Sequence, residues 1–285
     1  MQTIGKIIKS FKSELNNIYP ETEIRAIVEI VFEHLFGFSK TDLILKSENL
    51  IEESETIKIE TFLKRLKDHE PIQYILGYTY FYKCFFNVDE NVLIPRPETE
   101  ELVDWIIAET KNNSDLQILD IGTGSGCIAV SLAVNLKNPV VYAMDVSQEA
   151  LQLTLRNAEK NRSIVNIIKD DILNPVQNSE NLNFDIIVSN PPYVLISEKE
   201  KMQKNVLDYE PELALFVKDE DPLLFYKAVV NYSKKYLKPC GKLYFEINET
   251  LGSELLLLLE KSGFVDLKMK KDINGKDRMV SGKFI

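Results

Sequence analysis

The sequence predicts an α/β protein: a mostly parallel sheet with helices on both faces, finishing in an antiparallel hairpin and preceded by a small all-helical domain. Three observations predict it. Beyond residue 115, short β-type runs alternate with helical stretches, the pattern of strands joined by crossover helices. The last two runs, FVDLKMK and RMVSGKF, are joined through Asn274-Gly275, a strong hairpin signal. Residues 1–70, by contrast, carry their apolar side chains at helical spacing.

The elements follow in order. Ile4, Ile7, Ile8, Phe11 and Leu15 recur as one helical stripe, so the first fifteen residues read as a helix and not as a secretory signal. Pro20-Glu21 opens a second helix with Ile24, Ile27, Val28, Val31, Phe32, Leu35 and Phe36 on one face, and Gly37 closes it. Ile59, Phe62, Leu63 and Leu66 mark another helix that ends before Pro71. From Tyr74 to Ile94 the chain is rich in Tyr, Phe and Val around Gly77 and Asn87, the composition of a strand or hairpin connector. In IPRPETE, Pro97 and the acidic residues after it begin a helix carrying Leu102, Val103, Ile106 and Ile107. QILDI, VVYAMDV, VNIIKDD, FDIIVSN and KLYFEIN then read as strands, with helices over 148–160 and 222–237. The expected division is 1–73 helical, 74–96 connector, 97–285 α/β domain.

Bulk properties exclude several classes. The 285 residues are 45% hydrophobic and 27% charged, as in ordinary globular proteins. The longest aliphatic run, Leu255 to Leu259, is far too short to span a bilayer. A net charge of −10 argues against sequence-independent affinity for nucleic acid, which depends on Lys and Arg neutralising phosphates. Residues 1–75 hold ten basic and thirteen acidic side chains, so the helical part is no hidden basic module. Cys84, Cys127 and Cys240 form no CxxC pair and read as reduced thiols, which points to the cytoplasm. His34 and His69 sit in no ligand-spaced cluster, and no metal is expected.

Two motifs carry chemistry. ILDIGTGSGCIAV (118–130) is strand, glycine loop, helix. Gly122 and Gly124 let the backbone turn tightly and approach a ligand, and the helix from near Gly126 aims free N–H groups at it. The dinucleotide fingerprint G-x-G-x-x-G/A would need Gly or Ala where Cys127 stands, and no Gly-Lys-Ser/Thr is present. The spacing therefore favours a nucleoside without a pyrophosphate. Asp145 ends the second strand, nineteen residues beyond Gly126, where an acidic residue takes ribose hydroxyls; the competing role is a turn or helix cap, for which Ser147 is also available. Asp171 is placed for an adenine amino group with Ile172 beside it for apolar contact, although the adjacent Asp170 is an alternative carboxylate.

The second motif is Asn190-Pro191-Pro192-Tyr193, which halts the FDIIV strand. Prolines cannot continue a central strand, so the segment is either a rigid terminator or a rigid holder of the asparagine amide. An amide or exocyclic NH2 is a poor nucleophile whose lone pair is delocalised. It needs two acceptors that grip its hydrogens and aim the lone pair. The Asn190 oxygen and the Pro191 carbonyl can supply them, with Tyr193 covering the planar group.

An α/β sheet that ends in an antiparallel hairpin is expected for the Rossmann-like fold of S-adenosylmethionine-dependent methyltransferases. DIGTGSG, SNPPYV, DYEPELALF and DINGKDRMV together resemble the protein-glutamine N5-methyltransferase family, the release factor glutamine methyltransferases, over nearly the whole chain. The resemblance implies S-adenosyl-L-methionine as methyl donor, S-adenosyl-L-homocysteine as product, and the Gly-Gly-Gln glutamine of class-1 peptide chain release factors as acceptor. Carried over by position, it places the donor on Gly122, Thr123, Gly124, Ser125, Gly126 and Asp145; Asp120, read from its own place just before the glycine loop, is expected to meet the methionine ammonium directly or through water. The resemblance gives the glutamine to Asn190 through Tyr193. The helical domain, a compact unit on a short connector, is expected to recognise the protein partner, and the enzyme is expected to be monomeric. Ile172 stands where some members carry an aromatic residue, which implies weaker stacking on adenine. NPPY is shared with amino-methylating nucleic-acid enzymes, so the alternative is an adenine-N6 methyltransferase acting on DNA or RNA. That alternative calls for a basic groove and a target-recognition domain, against which the acidic balance and the short helical domain both weigh.

Overall fold

The computed structural model describes residues 1–176 and 182–285, which divide into two compact units: Met1–Gly77 with Gln203–Tyr209, and Tyr78–Met202 with Glu210–Ile285. The first unit is built on α1 (Ile4–Leu15), α2 (Glu21–Phe36) and α3 (Glu53–Lys67). Their apolar stripes meet in a core containing Phe11, Leu15, Val31, Phe32, Ile59 and Leu66. Gly37 ends α2 in the left-handed region (φ 66°) and its N–H caps the carbonyl of Glu33. Gln203–Tyr209, assigned by the sequence division to the downstream domain, belongs with this unit; the Tyr209 hydroxyl donates to the Asp68 carbonyl at 2.7 Å.

The second unit opens with the hairpin β1 (Tyr78–Phe81) and β2 (Cys84–Asn87). Residues 74–76, read from sequence as part of the connector, instead lie in the short helix Ile72–Leu76, which Gly77 terminates at φ 76°. Then come α4 (Pro97–Thr110), β3 (Gln117–Ile121), α5 (Cys127–Asn135), β4 (Val140–Asp145), α6 (Gln148–Lys160), β5 (Val165–Lys169) and β6 (Phe184–Ser189). The chain closes with α7 (Leu224–Tyr236), β7 (Leu237–Glu246), α8 (Gly252–Lys261), β8 (Phe264–Lys271) and β9 (Asp277–Phe284). The seven-stranded sheet has the order β8-β9-β7-β6-β3-β4-β5. Its five strands from β7 to β5 run parallel, and β9 pairs antiparallel with both β7 and β8.

Alternate residues of the central strands serve opposite faces. Ile118, Val141, Ile186 and Tyr244 pack with Leu102, Ile106 and Leu132, while Leu119, Ile187, Leu243 and Phe245 pack with Tyr226, Val229, Leu255 and Leu259. Burial on both faces is why these strands read as continuous apolar runs. β7 begins five residues before the KLYFEIN run, because its register shifts between Leu237 and Lys242 and accommodates Pro239 and a Cys240 at φ 66°. Two-residue ladders, Gln2–Thr3 with Leu50–Ile51 and Val194–Leu195 with Phe216–Val217, are too short to leave a pattern in the sequence. Among the described residues no helix is long and apolar enough to cross a membrane.

Strand order reverses beside β3. The chain runs outward from β3 through β4 to β5, then returns to β6 on the other side, with Ile121 opposite Ser189. Ligands of open α/β sheets bind outside the carboxyl ends of the strands at such a switch point.

Candidate active site

A cavity of about 450 Å³ opens at that switch point, a volume suited to one small ligand. It is lined by Gly122–Ser125 after β3, Asp145–Ser147 after β4, Asp170–Leu173 after β5 and Ser189–Pro192 after β6. Four loops far apart in sequence thus converge because four parallel strands end side by side.

The glycine loop is shaped by its backbone. Gly122 and Gly124 line the cavity at φ 73° and 55°, a left-handed backbone that glycine adopts without strain, and a Cβ built on either meets no atom within 4 Å beyond its chain neighbours. Gly126 differs: it does not line the cavity, and a Cβ there would lie 2.8 Å from the Thr154 side chain, so this glycine serves the packing of α5 on α6. Buried Asn157 ties the loop to the hairpin, its amide donating to the carbonyls of Ser125 (2.8 Å) and Asn87 (3.0 Å).

Asp145 accepts from Gly124 N–H through Oδ2 and from Ser147 N–H through Oδ1, both at 2.9 Å, while the helix cap of α6 is the Ser147 hydroxyl, which accepts from Ala150 N–H. The carboxylate braces two cavity loops and still has lone pairs free. Burial pushes its pKa up and these amide donors oppose that rise. Asp170 is buried and holds its own loop by accepting from the N–H groups of Asp171 and Val176, whereas the less buried Asp171 accepts from Leu173 N–H. Both line the cavity.

Asp120 departs from expectation. It is fully buried beneath the loop and outside the cavity lining, with Oδ2 accepting from the Thr123 hydroxyl (2.6 Å) and Ala129 N–H (3.2 Å) and Oδ1 without a hydrogen-bond partner. Its place inside β3, one residue before the strand ends and buried in the sheet, explains why it supports the loop from below. Burial pushes this carboxyl up to about 7 against those two hydrogen bonds. The folded protein therefore keeps the proton between pH about 4 and about 7, where the unfolded chain has released it, and stability falls as pH rises through that window. Melting temperatures of wild type relative to Asp120→Asn, which does not titrate, are expected to fall between pH 5 and pH 8; a relative rise would contradict this environment for Asp120.

The NPPY segment is held at several points. The Ser189 hydroxyl donates to the Ile121 carbonyl at 2.7 Å, and Asn248 Nδ2 donates to the Tyr193 carbonyl at 3.2 Å. Asn190 Nδ2 donates to Thr99 Oγ1 (3.4 Å), Thr99 donates to Glu246 Oε2 (2.6 Å), and the Tyr193 hydroxyl donates to Glu246 Oε1 (3.0 Å). Tyr193 itself does not line the cavity, because its phenol is drawn to Glu246 and its ring packs against the β7 core. The expected cover of a planar acceptor is therefore not its position here. Burial, with the Glu246 charge beside it, pushes the Tyr193 phenol well above its ordinary range, and burial likewise raises the Glu246 carboxyl.

Sequence reasoning missed Thr99, Glu246, Arg96 and Glu210. Arg96 lines the cavity and pairs with buried Glu210 at 2.5 Å, while Glu210 Oε2 accepts from Ile94 N–H at 3.4 Å. This pair joins the IPRPETE and EPELAL segments beside the prolines of NPPY. The signal was present in those two charged motifs, but nothing in their 114-residue separation says that they touch. Among the described residues no group of three or more His, Cys, Asp or Glu side chains could hold a metal ion.

Sequence relatives place this fold and this switch-point cavity among the S-adenosylmethionine-dependent methyltransferases. Residues 102–209 match the family model of the methyltransferase small domain, and residues 6–77 match the PrmC N-terminal domain. Release factor glutamine methyltransferases from Flavobacterium psychrophilum and Bacteroides thetaiotaomicron are 48% and 42% identical to the chain, each aligned over 98% of it and 99% of the relative. The chain belongs to the release factor glutamine methyltransferase family. Among solved structures, the hMettl16 catalytic domain in complex with an RNA hairpin (TM-score 0.56, 15% identity, 82% of this chain and 83% of that one) shares the fold. So does the T. thermophilus 16S rRNA N2 G1207 methyltransferase in complex with AdoMet and guanosine (TM-score 0.52, 17% identity, 73% and 50%).

Proposed function

We propose that this protein transfers a methyl group from S-adenosylmethionine to the side-chain amide nitrogen of the glutamine in the Gly-Gly-Gln motif of class-1 release factors, acting as a cytoplasmic monomer. The observation that carries the chemistry is the convergence of Asn190 and Pro191 on the cavity that also receives the glycine loop and Asp145. When bound, the donor supplies a methyl group on a positively charged sulfur. The open space over Gly122 and Gly124 fits its nucleoside end, with Asp145 accepting from ribose hydroxyls and Asp171 and Ile172 meeting the adenine. The buried carboxyl of Asp120 lies under the same loop and braces it through the Thr123 hydroxyl and the Ala129 N–H. Asn190 Oδ1 and the Pro191 carbonyl accept from the two amide hydrogens of glutamine. They hold the nitrogen lone pair toward the methyl and contribute alignment that the weak nucleophile lacks.

The helical unit takes the part of partner recognition: it has its own core and carries none of the cavity-lining residues. One experiment tests both parts. The pure protein, incubated with labelled S-adenosylmethionine, release factor, DNA and RNA, is expected to label the release factor alone. Residues 78–285 are expected to bind the donor yet label it poorly. Label on nucleic acid would favour the adenine-N6 alternative, and equal labelling by the shorter chain would remove the recognition role. The cut belongs before Tyr78, because Asn157 and Asn161 bind the backbone of Asn87 and Phe85 in the hairpin.

A further inference from the structure

We propose that Thr99 and Glu246 are positioning residues that fix which end of the Asn190 amide faces the substrate. This rests on the reading of Asn190 as the residue that grips the acceptor amide. Free rotation of a carboxamide by half a turn exchanges an acceptor for a donor, and only the acceptor end can hold an incoming N–H. The local connectivity removes that choice. Glu246 lies at the end of β7, is buried, and accepts on both oxygens from hydroxyl groups: Thr99 on one and Tyr193 on the other. Having given its proton to Glu246, the buried Thr99 hydroxyl has only lone pairs to offer, and Asn190 meets it with Nδ2. One N–H of the asparagine amide is thereby engaged, which turns the NH2 end toward Thr99 and leaves Oδ1 for the glutamine.

One buried carboxylate thus anchors the first and last residues of NPPY, Asn190 through Thr99 and Tyr193 directly. Arg278 adds a favourable charge near Glu246, its Nη1 donating to the neighbouring Ile247 carbonyl at 3.2 Å. Thr99 comes from the acidic start of α4 and Glu246 from the far side of β6, so the relay spans three elements that only the folded sheet brings together.

A double-mutant cycle on the full-length protein tests the relay. Thr99→Val keeps shape and removes the hydroxyl, so it is expected to lower kcat for release factor about tenfold or more, with donor affinity by calorimetry within about twofold, and Thr99→Ser is expected to recover most of the loss. In an Asn190→Ala background Thr99→Val is expected to cost nothing further in single-turnover rate, because its effect passes through Asn190; residues in one hydrogen-bond network are non-additive in this way. Glu246→Gln gives a second route: a carboxamide can accept from only one of Thr99 and Tyr193, so it too is expected to lower kcat in wild type, and to cost clearly less in the Asn190→Ala background, where only its hold on Tyr193 is left to lose. The same fold-loss from Thr99→Val or Glu246→Gln in both backgrounds would overturn the relay while leaving the gripping role of Asn190 intact. A fully active Asn190→Ala single variant would remove that role and the relay with it.

Discussion

Asn190→Ala is expected to lower kcat by about 10²–10³, the cost of losing one preorganised polar contact to the reacting group, while S-adenosylmethionine affinity stays close to wild type. The glycine loop and Asp145 are reached through β3 and β4, and no hydrogen bond from the Asn190 side chain supports them. Asn190→Asp is the sharper variant. An aspartate keeps an acceptor and the shape, but it has no NH2 to give Thr99, whose hydroxyl proton is already committed to Glu246. Its second oxygen would face the lone pairs of Thr99 with the Glu246 carboxylate just beyond. Asn190→Asp is therefore expected to fail nearly as badly as alanine. Pre-steady-state transfer rates with saturating donor measure both; a fully active alanine variant would mean that NPPY merely ends a strand.

Asp145→Ala is expected to weaken S-adenosylmethionine binding by roughly ten- to over a hundred-fold, because hydrogen bonds to a charged group contribute about 1.5–3 kcal/mol. Two losses add here. The ribose hydroxyls lose their acceptor, and the N–H groups of Gly124 and Ser147 lose the carboxylate that draws the first and second loops together. α6 itself keeps its cap, since Ser147 and not Asp145 receives the Ala150 N–H, so the variant is expected to remain folded. Calorimetry that returns unchanged affinity would confine Asp145 to bracing the loops.

Both variants touch residues that the sequence announces, and the reason is local. Gly122, Gly124 and the two prolines are forced by backbone geometry, so their spacing writes the loop and the strand end into the chain. Strands buried on both faces write themselves as apolar runs, which made the parallel sheet legible from QILDI to FDIIV, and Asn274-Gly275 announced the final hairpin, where Gly275 adopts φ 79°. What stayed hidden depends on long-range placement. Thr99 reads as an ordinary first-turn residue until β7 sets Glu246 beside it, 147 positions away. Asp120 looks like a cavity carboxylate until the strand's alternation turns it under the loop. Gln203–Tyr209 carries no compositional mark that distinguishes it from the α/β unit around it.

The central claim is that the cavity aims an amide nitrogen, and not a base amine, at the methyl group. Fragmentation mass spectrometry of a release factor methylated by this enzyme tests it most directly, because it locates the added mass on one side chain. The expected result is a single methyl group on the side-chain nitrogen of the Gly-Gly-Gln glutamine, absent when Asn190 is alanine. A methyl group on any other side chain, or an unmodified release factor beside methylated adenine in nucleic acid, would contradict it.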